Sequence, residues 1–270
     1  MKRNTHFRTI VISDLHLGTE GARAREVTNF LKQYKCQKLI LNGDIIDGWQ
    51  LKKYGTWKKK HTAFFKTVLK MMDDFGTKVI YLRGNHDDFL DQILPLKLGK
   101  QFQIRKDYVL KSNEKRFYVT HGDVFDSITT HLKWLAYLGD VGYTFLLWIN
   151  KRYNSYRTRR GLPYYSLSQV IKQRVKAAVS YISDFEEKLT ELARSRHCDG
   201  VICGHIHQPA IRNIDGIIYM NSGDWVESLT ALVEDHDGNW SLLYYNESSA
   251  EQEREPTVSA FFGKKERLAG

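Results

Sequence analysis

Short apolar runs that end in Asp, Asn or His are the feature that most constrains the fold of this chain. Six polar motifs are spread over the sequence, and five of them follow a short apolar run typical of a buried β-strand. In chain order the motifs are 14–16 (Asp-Leu-His), 43–44 (Gly-Asp), 84–87 (Gly-Asn-His-Asp), 121–123 (His-Gly-Asp), 204–207 (Gly-His-Ile-His) and 221–224 (Asn-Ser-Gly-Asp). Ligands supplied from the ends of several strands are a common way to build a dinuclear metal site, so the pattern predicts a fold that gathers strand ends in one place.

Strands and helices alternate over the first hundred residues. The apolar periodicity predicts strands at 7–13, 38–42 and 77–82, and helices at 22–34, 58–75 and 87–94. In the helix at 58–75, the side chains expected to face inward are Phe64, Phe65, Val68, Leu69 and Met72. Two short strands are expected within 102–120, and strands follow at 200–203, 210–213, 217–221, 229–234 and 240–245. The order predicts an α/β fold with two packed sheets between helices, an αββα sandwich.

The segment 127–196 does not fit this alternation. Aromatic and aliphatic residues crowd 131–156, and apolar residues recur at helical spacing over 168–194. Between 127 and 185 there are nine basic and two acidic residues, a net charge of +7 against +10 for the whole chain. A helical hairpin that buries its own core explains the apolar residues, and a helical lid with an apolar groove explains them equally well.

Basic residues beside the aromatic block are candidates for binding an anionic amphiphile. The run 151–160 is either a solvated face or a phosphate-binding surface, because arginine forks match phosphate oxygens. The same combination also suits an anionic bilayer surface. The candidate substrate and lid residues are Trp148, Arg157, Arg159 and Arg160.

The charge composition of the chain limits the kinds of partner that it is expected to bind. A formal net charge of +10 and a pI of 9.3 favour anionic partners such as phosphate esters or an anionic membrane face. No nucleic-acid-binding motif accompanies the charge, so no nucleic-acid partner is expected. The three cysteines have no metal-ligand spacing, and no apolar signal core follows the N-terminus. We therefore expect a cytoplasmic protein with reduced thiols that contacts the inner face of the membrane peripherally.

The ordered motifs resemble those of the calcineurin-like metallophosphoesterase superfamily. The resemblance extends from about 9 to 225. Within the superfamily the chain is most similar to the UDP-2,3-diacylglucosamine pyrophosphatase group, on the segment 13–18 (Ser-Asp-Leu-His-Leu-Gly), the long insertion after His121 and the segment 221–227 (Asn-Ser-Gly-Asp-Trp-Val-Glu). The best-known members of that group have Arg where this chain has His86, and His is the general choice of the superfamily. The resemblance implies a phosphoesterase domain over 1–246 with a lid insertion at about 127–196, whereas the polar segment 247–270 is typical of a mobile tail.

The resemblance implies two divalent metal ions, expected to be Mn²⁺, with Fe²⁺ or Zn²⁺ as alternatives. It assigns Asp14, His16 and His207 to one ion, and Asn85, His121 and His205 to the other. Asp44 bridges them. This mixture of carboxylate, amide and imidazole suits such ions, and residues two apart, like 14 and 16, point the same way on an extended backbone.

Further roles follow for residues beside the ligands. His86 is the expected general acid or oxyanion donor. Asp47, Asp87 and Asp123 are expected to orient ligand imidazoles, although Asp47 and Asp123 are also placed to cap helices.

Three functions remain open on the sequence. The first is a nucleotide-lipid pyrophosphatase of lipid A biosynthesis that hydrolyses a UDP-2,3-diacylglucosamine-type substrate at the membrane surface. The second is a soluble phosphodiesterase or nucleotidase that acts on a small phosphate ester. The third is a non-catalytic, metal-stabilised binding module, which the complete ligand set disfavours.

Overall fold

The computed structural model describes residues 6–128, 151–162 and 167–246. Five strands lie in the first 105 residues: β1 (His6–Ile12), β2 (Lys35–Asn42), β3 (Lys78–Leu82), β4 (Leu96–Leu98) and β5 (Phe102–Arg105). The later strands are β6 (Asp107–Ser112), β7 (Lys115–Thr120), β8 (Gly200–Cys203), β9 (Ala210–Ile214), β10 (Ile217–Asn221), β11 (Thr230–Glu234) and β12 (Trp240–Tyr244).

Helices connect and cover these strands. They are α1 (Ala24–Gln33), α2 (Gly48–Tyr54), α3 (Lys59–Phe75), α4 over 151–159 and α5 (Leu167–Ser195). Two short 3-10 helices span Asp88–Ile93 and Asp123–Ile128. No helix in the described parts of the chain is both long enough and apolar enough to cross a bilayer.

The strands form two sheets. The first has seven strands in the order β12-β11-β1-β2-β3-β5-β4, and the second has five in the order β6-β7-β8-β10-β9. Strands β1, β2, β3 and β5 run parallel, as do β7, β8 and β10. Parallel strands bring their carboxyl ends to one edge, so the loops that carry the polar motifs start close together.

In the described parts of the chain, three apolar clusters hold the layers together. Side chains from both sheets, including Ile40, Ile80 and Phe117, fill the space between them. Phe30 of α1 and Phe64 of α3 bury against the outer face of the seven-stranded sheet. The other cluster lies between α5 and the five-stranded sheet and contains Phe185 and Leu189. The predicted two-sheet α/β architecture with covering helices is confirmed.

Several local expectations differ from the structure. Region 102–120 contains three strands, because β5 lies in the seven-stranded sheet and a separate antiparallel pair, β6 and β7, lies in the five-stranded sheet. Leu69 is 56% exposed, because the buried face of α3 contains Phe64, Val68 and Met71 and Leu69 lies outside it. The end of α5, from Phe185 onward, belongs to the core of the second sheet. Residues 129–150, which include most of the aromatic block at 131–156, lie outside the described residues, so a lid over the site remains a prediction.

Candidate metal centre

The polar motifs meet where the parallel strands end. The loop after β1 lies on the loop after β2, with the Asp14 amide donating to the Gly43 carbonyl at 3.1 Å and the His16 amide donating to the Asp44 carbonyl at 2.9 Å. The loops after the second sheet join them, since the His205 amide donates to Asp14 Oδ2 at 3.0 Å. These backbone hydrogen bonds fix the relative positions of motifs that are far apart in sequence.

Most of the predicted ligands have an unusual backbone conformation. A left-handed conformation, with φ between 48° and 70°, is found at Asp14, His16, Asp44, His205 and His207. The extended backbone on which the expected shared direction of 14 and 16 depended is absent, because the strand ends at Ile12 and the chain turns sharply; the two side chains nevertheless converge. Non-glycine residues in this region are strained, and such strain is characteristic of functional sites.

The first cluster consists of Asp14, His16 and His207, whose candidate ligand atoms all lie within 4.8 Å of one another. His207 Nε2 is 3.2 Å from Asp14 Oδ1. Asp14 is fully buried, whereas the side chain of His207 is 33% exposed. The cluster is thus open on the His207 side.

The second cluster consists of Asp44, His121 and His205, again within 4.8 Å of one another. His121 Nε2 lies 3.3 Å from Asp44 Oδ2 and 3.3 Å from His205 Nδ1. Asp44 also belongs to a third group, with His16 and His86. Asp44 therefore lies between two sets of imidazoles, where a carboxylate is able to bridge two ions.

The donor set fits divalent cations. Among the described residues, Asn85 Oδ1 is a buried oxygen without a hydrogen-bond partner. Buried oxygens of this kind are normally satisfied, so it is available to a ligand. Asp14 Oδ1 is also buried and faces the His207 ring nitrogen at 3.2 Å. Carboxylate, amide oxygen and imidazole together, with no thiolate, match the preferences of Mn²⁺, Fe²⁺ and Zn²⁺.

The charges at the centre also favour cations. Burial alone raises the pKa of Asp14, but the imidazoles of His207 and His121 outweigh it and hold this pKa well below its usual range. For Asp44, burial is likewise outweighed by His121, His16 and His86, so its pKa is lowered. Burial lowers the pKa of His121, yet the Asp44 and Asp14 carboxylates raise it to about 10. Both carboxylates are therefore ionised, and a cation at His121 displaces a proton.

Neighbouring groups orient the imidazoles. His121 Nδ1 is 2.9 Å from the Asn42 carbonyl oxygen, which fixes the Nδ1–H tautomer and leaves Nε2 facing Asp44. Asp47 Oδ2 is 3.0 Å from His86 Nδ1 and 3.4 Å from His16 Nδ1. Both of these rings then turn Nε2 toward Asp44 Oδ2, at 3.9 Å and 3.8 Å respectively. Asp47 acts as a shared support for two rings.

The three predicted orienting aspartates have different surroundings. Besides its two imidazoles, Asp47 caps α2 by accepting from the Gln50 amide at 2.8 Å. Asp87 accepts from the Ile46 amide at 2.8 Å and from the Tyr81 hydroxyl at 2.8 Å. It thereby holds the backbone of the loop that carries Asp44. These hydrogen bonds come from a backbone amide and a tyrosine hydroxyl, and not from a ligand imidazole.

Asp123 faces a guanidinium. It forms an ion pair with Arg83, which also lies 2.9 Å from Asp91. Its negative charge contributes to the raised pKa of His121, as the smallest of the carboxylate influences. Asp123 is also the first residue of the second 3-10 helix, and its role as a cap remains a prediction.

Some features of the centre were not identified from the sequence. A Cβ on Gly84 would overlap Asp44 Oδ1 and the Asp44 amide nitrogen, so this position admits only glycine. The Trp49 ring lies 4.3 Å from the His86 ring and is 50% exposed. The signal for the glycine was present, since it precedes the Asn-His-Asp motif, whereas nothing in the sequence pairs the tryptophan with His86.

The predicted lid residues are only partly described. Arg157 Nη1 lies 3.4 Å from the Tyr153 hydroxyl, the Arg160 guanidinium is 5.3 Å from the Tyr156 ring, and Arg159 is exposed. Trp148 lies outside the described residues. Binding of phosphate or acyl chains by this set remains a prediction.

Comparison with known proteins agrees with the geometry. The profile of the calcineurin-like phosphoesterase family matches residues 7–209. The chain is 24% identical over 247 residues to a UDP-2,3-diacylglucosamine hydrolase of Stenotrophomonas maltophilia, covering 87% of this chain and 97% of that protein.

Solved structures also match over most of their length. The E. coli phosphoesterase Yfce matches with a TM-score of 0.41 at 17% identity, over 88% of this chain and 99% of that one. An archaeal phosphodiesterase matches with a TM-score of 0.41 at 14% identity, over 87% of this chain and 98% of that one. The family profile covers most of the sequence, including the loops that carry both clusters. The chain therefore belongs to the calcineurin-like phosphoesterase family and is a metal-dependent phosphoester hydrolase.

Proposed function

We propose that the protein hydrolyses the phosphoanhydride of a nucleotide-linked lipid of the UDP-2,3-diacylglucosamine type, with two divalent ions held by the clusters around Asp14 and Asp44. The observation that carries the hydrolytic chemistry is the position of Asp44, which belongs to two ligand groups at once. The nucleotide-lipid substrate is supported by the near full-length match to a hydrolase of that name. It is also supported by the basic and aromatic segment at 131–160.

The proposed ligands divide between the two ions as the clusters do. Asp14, His16 and His207 would hold one ion, and His121 and His205, with the amide oxygen of Asn85, would hold the other. Asp44 would bridge them. When bound, two such ions lower the pKa of a shared water and offset the charge of the transferring phosphoryl group. We propose Mn²⁺, because the set contains both hard oxygen and imidazole donors.

His86 is placed to move a proton. Its Nδ1 faces Asp47, and its Nε2 points into the centre toward Asp44. With Asp47 stabilising a proton on Nδ1, the other ring nitrogen is able to donate to a phosphoryl or leaving-group oxygen. The side chain is 13% exposed, and the ring of Trp49 covers one face, so water has limited access to the ring. His86 is thus proposed as the general acid.

A second candidate function is hydrolysis of a small soluble phosphodiester. It is favoured by His86 itself, because the best-known diacylglucosamine pyrophosphatases have Arg at this place. The chemistry at the ions is the same for both candidates, so the two differ only in what binds beyond the scissile phosphate.

The domain and its location follow from the same proposal. We propose that 1–246 forms the phosphoesterase domain, that 127–196 contributes substrate contacts and that 247–270 is a tail. A cytoplasmic protein that touches the anionic inner face of the membrane would meet a lipid substrate there, and the net charge of +10 supports that contact.

A comparison of two substrates tests the proposal. The Mn²⁺-loaded protein would be incubated with UDP-2,3-diacylglucosamine and, separately, with bis-p-nitrophenyl phosphate, and the products would be followed by ³¹P NMR. We expect release of UMP from the first, and the second should be hydrolysed with a lower kcat/KM. Activity on the diester alone would replace the lipid substrate with the small-ester alternative. Inactivity on both, with metal bound, would refute the hydrolytic assignment of the residues.

Variants at 157 and 160 test the role of the basic segment. Replacing Arg157 and Arg160 together with Ala should raise KM for the acylated nucleotide sugar and leave hydrolysis of the small diester nearly unchanged. Lys66→Gln, on the exposed surface of α3, is the matched control for loss of positive charge. Equal losses on both substrates would show that these arginines support the fold.

A further inference from the structure

A cavity on the seven-stranded sheet is lined by none of the proposed metal ligands. It has a volume of about 280 Å³ and is lined by residues of β2 to β5 together with Tyr108 of β6. Ile80, from the apolar layer between the sheets, forms its floor. The cavity is therefore a cleft at the margin between the two sheets, and we call it the lysine cleft after the side chains at its rim.

The rim of the lysine cleft carries four positive charges and no acidic residue. They belong to Lys38, Lys78, Lys97 and Lys100. Lys38 and Lys78 are direct register partners on the parallel strands β2 and β3. Like charges on neighbouring strands destabilise a sheet, so this arrangement opposes folding unless an anion offsets it.

In the described parts of the chain, no ion pair compensates these four lysines, because none of them has a carboxylate within ion-pair distance. The nearest acid to Lys38 in electrostatic effect is Glu234, which is buried and bonded to Thr9 and Ser112. Lys38 is half-buried, and burial lowers its pKa; the Glu234 carboxylate opposes this shift, whereas the Arg8 and Lys78 charges add to it. Lys78, Lys97 and Lys100 are exposed, so the cleft presents three exposed ammonium groups and one that is partly shielded from water.

Aromatic rings complete the walls. The Lys38 ammonium lies 6.0 Å from the Tyr108 ring centre, and Phe102 borders the same space, half-buried. A ring or an apolar edge of a ligand would find a surface there. The cleft thus combines cations with flat apolar walls, as small-molecule sites commonly do.

The lysine cleft is separate from the metal centre. Lys78 begins β3, whereas the proposed ligand Asn85 follows the end of that strand. Lys38 precedes Asp44 by six residues along β2 and its loop, which corresponds to about 20 Å of extended chain. A ligand in the cleft would therefore not contact the proposed metal ligands.

We propose that the lysine cleft is a second binding site, for a diphosphate-bearing anion, independent of the hydrolytic centre. Two or more phosphoryl charges would balance the paired lysines of β2 and β3 and reach the two lysines of the β4–β5 turn region. Charge-assisted hydrogen bonds from ammonium groups to phosphate oxygens are the strong class of such contacts. The site goes beyond the proposed function, because nothing in that reaction requires an anion at this distance.

Thermal unfolding of the full-length, metal-loaded protein tests the site. Methylenediphosphonate, a diphosphate analogue that resists hydrolysis, would be titrated against the wild type, Lys78→Gln and the control Lys66→Gln. Without the probe, Lys78→Gln should raise Tm, because it removes the repulsion with Lys38. With the probe, Tm should rise saturably for the wild type and the control. The apparent affinity of Lys78→Gln should be weaker by about tenfold or more. Chelation of the metal by the probe affects all three proteins equally.

Lysine labelling gives a second, position-specific readout. Acetylation followed by peptide mass spectrometry should show that the probe protects Lys78 and Lys100, while Lys66 reacts at an unchanged rate. A double variant, Lys97→Gln with Lys100→Gln, covers the case in which Lys78→Gln folds poorly. It should also weaken the response to the probe by about tenfold.

The source of the diphosphate is distinguished by a nucleotide analogue. If α,β-methylene-ADP binds more tightly than methylenediphosphonate, the ring contacts Tyr108 or Phe102 and the ligand is a nucleotide. Equal affinities would assign the diphosphate group alone. An equal response in Lys78→Gln and the wild type, or equal protection at Lys66, would overturn the proposal. Hydrolysis of bis-p-nitrophenyl phosphate is measured separately, so failure of this site leaves the proposed reaction untouched.

Discussion

Substitution of Asp47 by Asn separates two roles that one carboxylate combines. Asp47 Oδ1 accepts from the Gln50 amide at 2.8 Å, and Oδ2 faces the Nδ1 atoms of His86 and His16 at 3.0 Å and 3.4 Å. In Asp47→Asn, the amide oxygen keeps the helix cap. The amide NH₂ then meets two ring N–H groups, so that donors face donors. The rings lose their common support while α2 keeps its cap.

The size of the effect follows from these contacts. Loss of a carboxylate behind a ligand imidazole typically lowers metal affinity by about 10- to 100-fold. That corresponds to about 1.4–2.7 kcal/mol of binding free energy. Loss of a helix cap costs about 1 kcal/mol of folding stability. Asp47→Asn should therefore weaken metal binding with little change in the stability of the metal-free protein, and Asp47→Ala should lose about 1 kcal/mol of stability in addition.

Calorimetric titration with Mn²⁺ measures the first quantity, and urea denaturation in the presence of a chelator measures the second. The pair of variants is its own control, because both remove the negative charge and only Ala removes the cap. Wild-type Mn²⁺ affinity in Asp47→Asn would refute the view that Asp47 supports the ligand ring of His16. Equal stability of the two variants would show that the cap contributes nothing.

Three further predictions follow from the same contacts. Asp44→Ala should lose both ions in elemental analysis and all turnover, since Asp44 belongs to two ligand groups; two metals per chain in this variant would contradict a bridging role. His86→Ala should keep both metals and reduce the rate by roughly 10²–10⁴-fold, as for loss of a positioned acid; release of metal instead would make His86 a ligand. Burial raises the pKa of Cys36 and of Cys203 to about 12, and Cys198 is also buried, so a disulfide reagent at pH 8 should modify no thiol in the native protein and three after unfolding.

The fold and the membership of the site were predictable for different reasons. Short apolar runs and their polar ends are local signals, so the strands at 7–13 and 38–42 were located within a few positions. The residues that support the site were harder to predict from the sequence. Asn42 acts through its backbone carbonyl, which any residue has. Trp49 contacts His86 from α2, a helix that was not predicted. Such contacts depend on tertiary packing, which no local pattern encodes.

The expectation about Asp14 and His16 shows where pattern reasoning stops. The spacing of two residues predicted that both side chains point the same way on an extended strand. Both residues instead have a left-handed backbone conformation, with φ of 54° and 48°. The two side chains do converge, because the loop after β1 is hydrogen-bonded to the loop after β2. The motif order therefore predicted correctly that the two residues lie together. Their local geometry is set by the hydrogen bonds between the two loops and not by an extended strand.

The left-handed backbone of the ligands gives a final test, at Asp44, whose φ is 53°. A residue with a Cβ is strained in this conformation by about 1–2 kcal/mol, and glycine is not. Asp44→Ala and Asp44→Gly both remove the proposed bridging carboxylate, so both should fail to bind metal. Asp44→Gly alone relieves the strain, and part of that gain is offset by the greater freedom of glycine in the unfolded chain. In chelator, Asp44→Gly should therefore be more stable than Asp44→Ala by roughly 1 kcal/mol in urea denaturation. If Asp44→Ala were the more stable variant, the left-handed conformation would impose no cost, and the centre would not be held under backbone strain by the surrounding loops.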